Sequence, residues 1–189
     1  RTFAGSAQLE LPLLAAQESP SYADLYQPNA IAAQALTLRN IAALFELSFG
    51  LSAWKQYGTT RWALRCNPSS GNLHPTEAYL VVQGCEGIAD GVHHYLSRDH
   101  LLEQRSRFAP AVPMLPPIST GWPTARSAAA LGWQVQLLDA WGDDAIGAIL
   151  GVERAEDFGA AEREQPDLML LISTAGKAAA AGLAASRMS

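Results

Sequence analysis

The stretch Arg65 to Val82 reads RCNPSSGNLHPTEAYLVV, and the rest of the chain is best understood outward from it. Pro68 fixes its own φ and pushes Asn67 into an extended shape. Ser69, Ser70, Gly71 and Asn72 follow, all residues that favour loops and caps over element interiors. The run Leu73 to Glu77 predicts a short helical turn, with Asn72 or His74 as its cap and Pro75 in its first turn. Tyr79 to Val82 predicts an apolar strand. Such a bend lays consecutive backbone N–H groups and small hydroxyls along one surface, which suits an anion or a flat polar ligand. The same composition also serves as a plain connection, with Ser69 and Ser70 capping a turn and Arg65 in a surface ion pair.

Upstream, Leu9 to Leu14 predicts an extended arm and the polar run after it a loop. An arm of this kind either wraps a partner or frays. Leu36 to Gly50 is the clearest helix: Thr37 caps it, Leu38, Ile41, Leu44, Phe45 and Phe49 recur at helical spacing, and Gly50 ends it. Between Leu51 and Leu64, Gly58-Thr59-Thr60 marks a turn among packing aromatics.

Downstream, Gly84 to Gly91 is a glycine-rich connection. Val92 to Leu96, Ser97 to His100 and Leu101 to Glu103 read as strand, turn, strand. His93 and His94 then fall on opposite faces, which argues against a shared metal. Residues 109–123 hold five prolines, excluding a helix or a central strand. Thr124 to Leu131 predicts a short helix ended by Gly132, and Trp133 to Leu137 an alternating strand. Ala145 to Leu150, capped by Asp143 or Asp144 and closed by Gly151, predicts a second short helix. Asp167 to Ile172 reads as a buried strand, and the tail from Lys177 as a helix or a frayed end.

The chain has 189 residues, enough for a single domain with a sizeable core. A net charge of −5 with no basic cluster argues against nucleic acid, and no apolar run is long enough for a bilayer. The start lacks the basic-then-apolar pattern of a signal peptide. Arg stands at position 1, as in a trimmed or processed product or part of something longer. Two cysteines, Cys66 and Cys85, fit no disulfide framework and no zinc pattern; two reduced thiols in a cytoplasmic protein are expected. No Walker-type loop, Rossmann glycine fingerprint or nucleophile-elbow serine is present. Strand and hairpin signals mixed with helices predict an α+β or three-layer fold with a mixed sheet flanked by helices.

Pro68, Ser69, Asn72 and Pro75, followed by a hydrophobic strand, resemble the flavin-binding stretch of the FMN-dependent nitroreductase superfamily. Arg65 ahead of them, HPTEAYLVV behind, GVHHYLSRDHLLE (Gly91 to Glu103) and LGWQVQLLD (Leu131 to Asp139) resemble its SagB/ThcOx-type dehydrogenase branch most. The resemblance implies a nitroreductase-like fold, an intertwined homodimer or a pseudo-dimer of two halves, and FMN at the interface. It implies that Arg65, Pro68, Ser69, Ser70 and Asn72 line the FMN ring edge, ribityl chain or phosphate. It places Asp139 and Ala140 in the loop that passes near flavin N5, unless that loop is an ordinary strand-to-helix connection. Flavin chemistry asks little of side chains, so no catalytic residue is named. The implied reactions are azoline-to-azole oxidation within a peptide, or nitro reduction with NAD(P)H as electron donor.

The chain also departs from that branch. Its members carry a long Arg-, Tyr- and His-rich segment where only the proline-rich piece, between Phe108 and Gly132, stands here. The basic cluster near their N-terminus is not evident. Many relatives have two such halves, and this chain resembles one. Two alternatives therefore stay open: a non-catalytic, degenerate half that dimerises or scaffolds a partner, and an unrelated α+β binding domain.

Overall fold

An unbroken apolar run from Ala78 to Val82 places a strand with two buried faces at the centre of the molecule. The computed structural model describes residues 2–15, 20–27, 30–108, 121–160 and 162–174. In chain order the elements are β1 (Gln8–Glu10), α1 (Leu38–Phe49), β2 (Leu51–Tyr57), β3 (Thr60–Arg65), β4 (Ala78–Val82), β5 (Gly91–Leu96), β6 (Leu101–Arg107), α2 (Gly121–Ala130), β7 (Gln134–Leu137), α3 (Asp143–Leu150) and β8 (Leu170–Ser173). The central sheet has the order β1-β6-β5-β4, and β2–β3 and β7–β8 are separate pairs.

All five residues of β4 are buried. Ala78, Leu80 and Val82 face α1 and α2, packing with Ile41, Leu44, Phe45, Phe49 and Ala128. Tyr79 and Val81 face the other way, onto Ile146 and Leu150 of α3 and onto Val152, Phe158 and Met169. The sheet is thus the middle of three layers. The α+β class holds. The five ladders among the described residues are all antiparallel, so the parallel component of a mixed sheet is not found there. The reason is connection length: β4, β5 and β6 follow one another through short turns, which join only antiparallel neighbours.

Helix α1 forms as its sequence directs. Thr37 accepts a hydrogen bond from the Asn40 N–H at 3.3 Å, and the Gly50 N–H closes the last turn on the carbonyls of Phe45 and Glu46. Helix α2 starts earlier than expected, because Pro123 sits in its first turn, where the missing N–H has no helical partner to lose. The rest of the proline-rich piece (109–120) and the tail from Lys177 lie outside the described residues. The described part of the arm is docked on the chain's own sheet. Its strand β1 pairs with β6, and the Leu11 N–H bonds the carbonyl of His100.

Candidate functional site

Two features meet along the Arg65 to Tyr79 stretch: an open bend and a cleft beside it. The bend begins where β3 ends, with Arg65 paired across the ladder to Leu51 and the Cys66 N–H bonded to the Gly50 carbonyl. The helical turn falls at Ser70–Asn72 instead of at 73–77. Gly71, Asn72 and His74 all have positive φ, at 63°, 58° and 47°. Three left-handed residues within four positions cannot propagate a helix, so Leu73 to Glu77 runs on as irregular chain.

Side-chain bonds hold this shape. Asn72 Nδ2 donates to the Ala63 carbonyl at 2.9 Å, which ties the bend back to β3. That leaves Asn72 Oδ1 to accept from His74 Nε2 at 2.7 Å. The His74 backbone N–H donates to Ser69 Oγ at 2.8 Å. Burial, and then the positive charge of Arg65, lower the His74 pKa below its ordinary value.

Ser69 and Asn72 therefore spend polar atoms on shaping the bend. Other groups are left to face outward. The Arg65 guanidinium has no hydrogen-bond or ion-pair partner among the described residues, yet its field reaches His74, Glu77 and Tyr95. Ser70 and Pro68 are exposed. Asn67 is buried with no partner for its Oδ1 among the described residues, and Leu73 stands 81% exposed. Asp139 and Ala140 lie in an exposed turn between β7 and α3. No hydrogen bond among the described residues joins them to the bend. Asn67 and Leu73 are contributions that the sequence reading did not single out; only an unpaired buried amide and an uncovered leucine reveal them.

A flavin mononucleotide asks for donors to its phosphate and ring carbonyls, an acceptor for its ring N–H and an apolar surface for its flat face. Arg65 and Ser70, Asn67 Oδ1 and Leu73 fit those needs in kind. Among the described residues no side chain covers Pro68, Ser70 or Leu73, so a group bound there would need a further surface to enclose it.

The cleft, of about 530 Å³, borders the far end of the stretch, with Pro75 to Glu77 and Tyr79 in its wall. Glu77, Tyr79, Glu164 and the apolar Ile146, Leu150 and Val152 are among its walls. The Tyr79 hydroxyl donates a short hydrogen bond to Glu164. Burial, then the charge of Glu164, push the Tyr79 hydroxyl far above its ordinary value, so it keeps its proton. Behind Glu77 lies His94, whose Nε2 is 2.8 Å from Glu77 Oε2 and whose Nδ1 is 3.0 Å from Glu103 Oε2. The ladder pairs His94 with Tyr79 and His93 with Leu80, so the two imidazoles do take opposite faces. Burial alone would raise the Glu77 carboxyl. Its hydrogen bond to His94 and that ring's charge, with Arg65 adding, bring it below its ordinary value instead.

No protein-family profile matches the chain, and no curated protein does. Among solved structures there is a match: the crystal structure of a "putative nitroreductase" from Anabaena variabilis, 19% identical, with a TM-score of 0.55 over 72% of this chain. The match covers 35% of that protein, so the chain spans about a third of its length. The likeness shows that the fold is nitroreductase-like. Among the described residues no helix is long and apolar enough to cross a membrane.

Proposed function

We propose that the chain is an FMN-dependent oxidoreductase unit of nitroreductase fold, and that its cofactor lies on the bend from Arg65 to Leu73. The observation that carries this reading is an Arg65 guanidinium without a hydrogen-bond or ion-pair partner among the described residues, on a bend where Asn67 Oδ1 likewise has none and Leu73 is exposed. FMN, when bound, supplies hydride transfer through its N5. The chain's own residues hold and orient it. Arg65 and Ser70 offer donors, Pro68 and Leu73 apolar contact, and Ser69 and Asn72 fix the backbone on which these stand. The exposed turn at Asp139 and Ala140 is proposed, on the sequence resemblance, to supply a backbone N–H to flavin N5.

The openness of the bend supports a second nitroreductase-like surface as its cover, either from another copy or from a second half. The substrate is a small molecule or a peptide. Oxidation of an azoline ring follows the sequence resemblance, and NAD(P)H-driven nitro reduction is its near neighbour.

FMN titration of the purified protein, followed by flavin fluorescence, tests the reading. Saturable binding is expected, with Arg65→Gln weakening it about 10- to 100-fold, the worth of one charged hydrogen bond. A protein that takes up no FMN would instead be a scaffolding half. NAD(P)H consumption with a nitroaromatic acceptor then separates the two chemistries.

A further inference from the structure

We propose that Glu77, His94 and Glu103 form a proton relay whose outlet is the cleft, with Glu77 the group through which a ligand there gains or loses a proton. Both ring nitrogens of His94 face carboxylate oxygens, at 2.8 Å and 3.0 Å. A neutral imidazole has one N–H and one lone pair, and a lone pair against a carboxylate repels. Both contacts attract only when the ring donates twice or a carboxyl carries the hydrogen. Either way the three groups hold one proton more than a neutral ring between two carboxylates.

The inner end of this chain of bonds is sealed. His94 and Glu103 are 0% exposed. Glu103 also accepts from the Phe3 N–H, at 3.2 Å to each oxygen, and from Gln8 Nε2 at 3.4 Å. The rings of Phe3 and Tyr79 flank the imidazole at 5.1 Å and 5.2 Å. The nearby charged groups are Arg105, which lies over the Phe3 ring, and Arg65, whose field reaches Glu77. The outer end is open. The Glu77 side chain is 18% exposed and forms part of the cleft wall, next to the Tyr79–Glu164 pair. A proton leaving the relay therefore has its route through Glu77.

A two-electron reduction consumes a hydride and a proton. A reduced flavin, when bound, would supply the hydride, and in this respect the use of the relay rests on the function proposed above. For the proton, the Nε2–H bond of His94 breaks as an O–H bond forms on Glu77. That O–H bond then breaks as the ligand atom takes the proton. The ring is left neutral, with Nδ1–H still donating to Glu103, and a solvent proton restores it through Glu77. Oxidation of a ligand runs the same steps backwards.

The relay is tested on the full chain carrying ¹⁵N-labelled histidine, by long-range ¹H–¹⁵N NMR between pH 5 and 9. Two protonated ring nitrogens on His94 at pH 7 are expected, and Glu77→Gln should convert the ring to the single Nδ1–H tautomer. A wild-type ring with a single protonated nitrogen at pH 7, or a ring unmoved by Glu77→Gln, would overturn the relay. If that variant does not fold, Glu77→Asp, one methylene shorter, is expected to give the same change, and no change would count equally against it. Turnover is read separately on FMN-loaded protein, where Glu77→Gln should shift the pH profile of kcat at unchanged FMN affinity. An unshifted profile removes the role of the relay in catalysis. Wild-type protein that binds no FMN removes the flavin assignment and leaves the NMR result to decide the relay.

Discussion

Gly132 lies against the backbone of Ala32. A Cβ at position 132 would fall 2.6 Å from the Ala32 carbonyl oxygen, at a backbone φ of +69°. The contact closes α2: the Trp133 N–H reaches the Ala128 carbonyl and the Gly132 N–H that of Ala129, a left-handed helix stop. It also docks the segment before α1, since Gln34 donates to Leu131 at 2.9 Å and accepts from Trp133 Nε1 at 2.7 Å. Gly132→Ala combines a disfavoured φ with a clash against main chain and should cost about 2–4 kcal/mol. Calorimetry should then show a Tm lower by roughly 5–15 °C. An unchanged Tm would mean that the segment around Ala32 yields freely.

Asn72 joins the bend to β3, so its amide controls the position of groups that it does not touch. Asn72→Ala removes both of its bonds and leaves a left-handed alanine, costing about 1–3 kcal/mol locally. FMN affinity is expected to fall about 10-fold or more, with the fold retained by circular dichroism. Ser69→Ala should act in the same direction, through the lost acceptor for the His74 N–H. Unchanged affinity in both variants would place the cofactor away from the bend.

Phe45 is 2% exposed and stacks on Tyr95 with ring centroids 4.6 Å apart. Truncating a buried aromatic loses its transfer energy and leaves a cavity, so Phe45→Ala should destabilise by about 3–5 kcal/mol. Thr37→Ala, which removes only a cap, should cost about 1 kcal/mol. Urea denaturation that ranked the two equally would contradict the layered core.

Acid should weaken the protein before its carboxylates titrate. Burial lowers the pKa of both His93 and His100 below the ordinary value. As pH falls through about 6.5 the unfolded chain binds protons first, so the native state loses stability relative to it. Above that value the contribution is fully present. Glu77 acts in a lower window: its depressed carboxyl contributes stability above the ordinary carboxylate range, lost as pH falls through the folded value. The urea midpoint should drop between pH 7.5 and 5, and His93→Gln should flatten that slope. A slope confined to below pH 4.5 would assign the effect to carboxylates alone.

What could be read from sequence follows the range of the forces involved. Helix α1 and strand β4 are legible because a cap, a terminating glycine and an apolar repeat all act within a few residues. The bend residues Arg65, Pro68, Ser69, Ser70 and Asn72 could be grouped because they are contiguous. Its conformation could not, because Asn72 is held by Ala63, nine positions back, and the resulting left-handed run moves the helical turn to Ser70. Asp139 and Ala140 belong to a different segment, and no local signal fixes their distance from Arg65. The Glu77–His94–Glu103 series was invisible for a related reason. It depends on the register of β5 against β6, which shifts by an irregularity between Val92 and His93.

The Glu103 carboxylate waits for a backbone N–H one hundred positions earlier in the chain. During synthesis the residues around Phe3 leave the ribosome long before β6 exists. They have nothing to dock on until the hairpin that carries Glu103 has assembled. The segment around Phe3 therefore cannot take its place before β6 does, and until then an ionisable group meant for the interior stays wet.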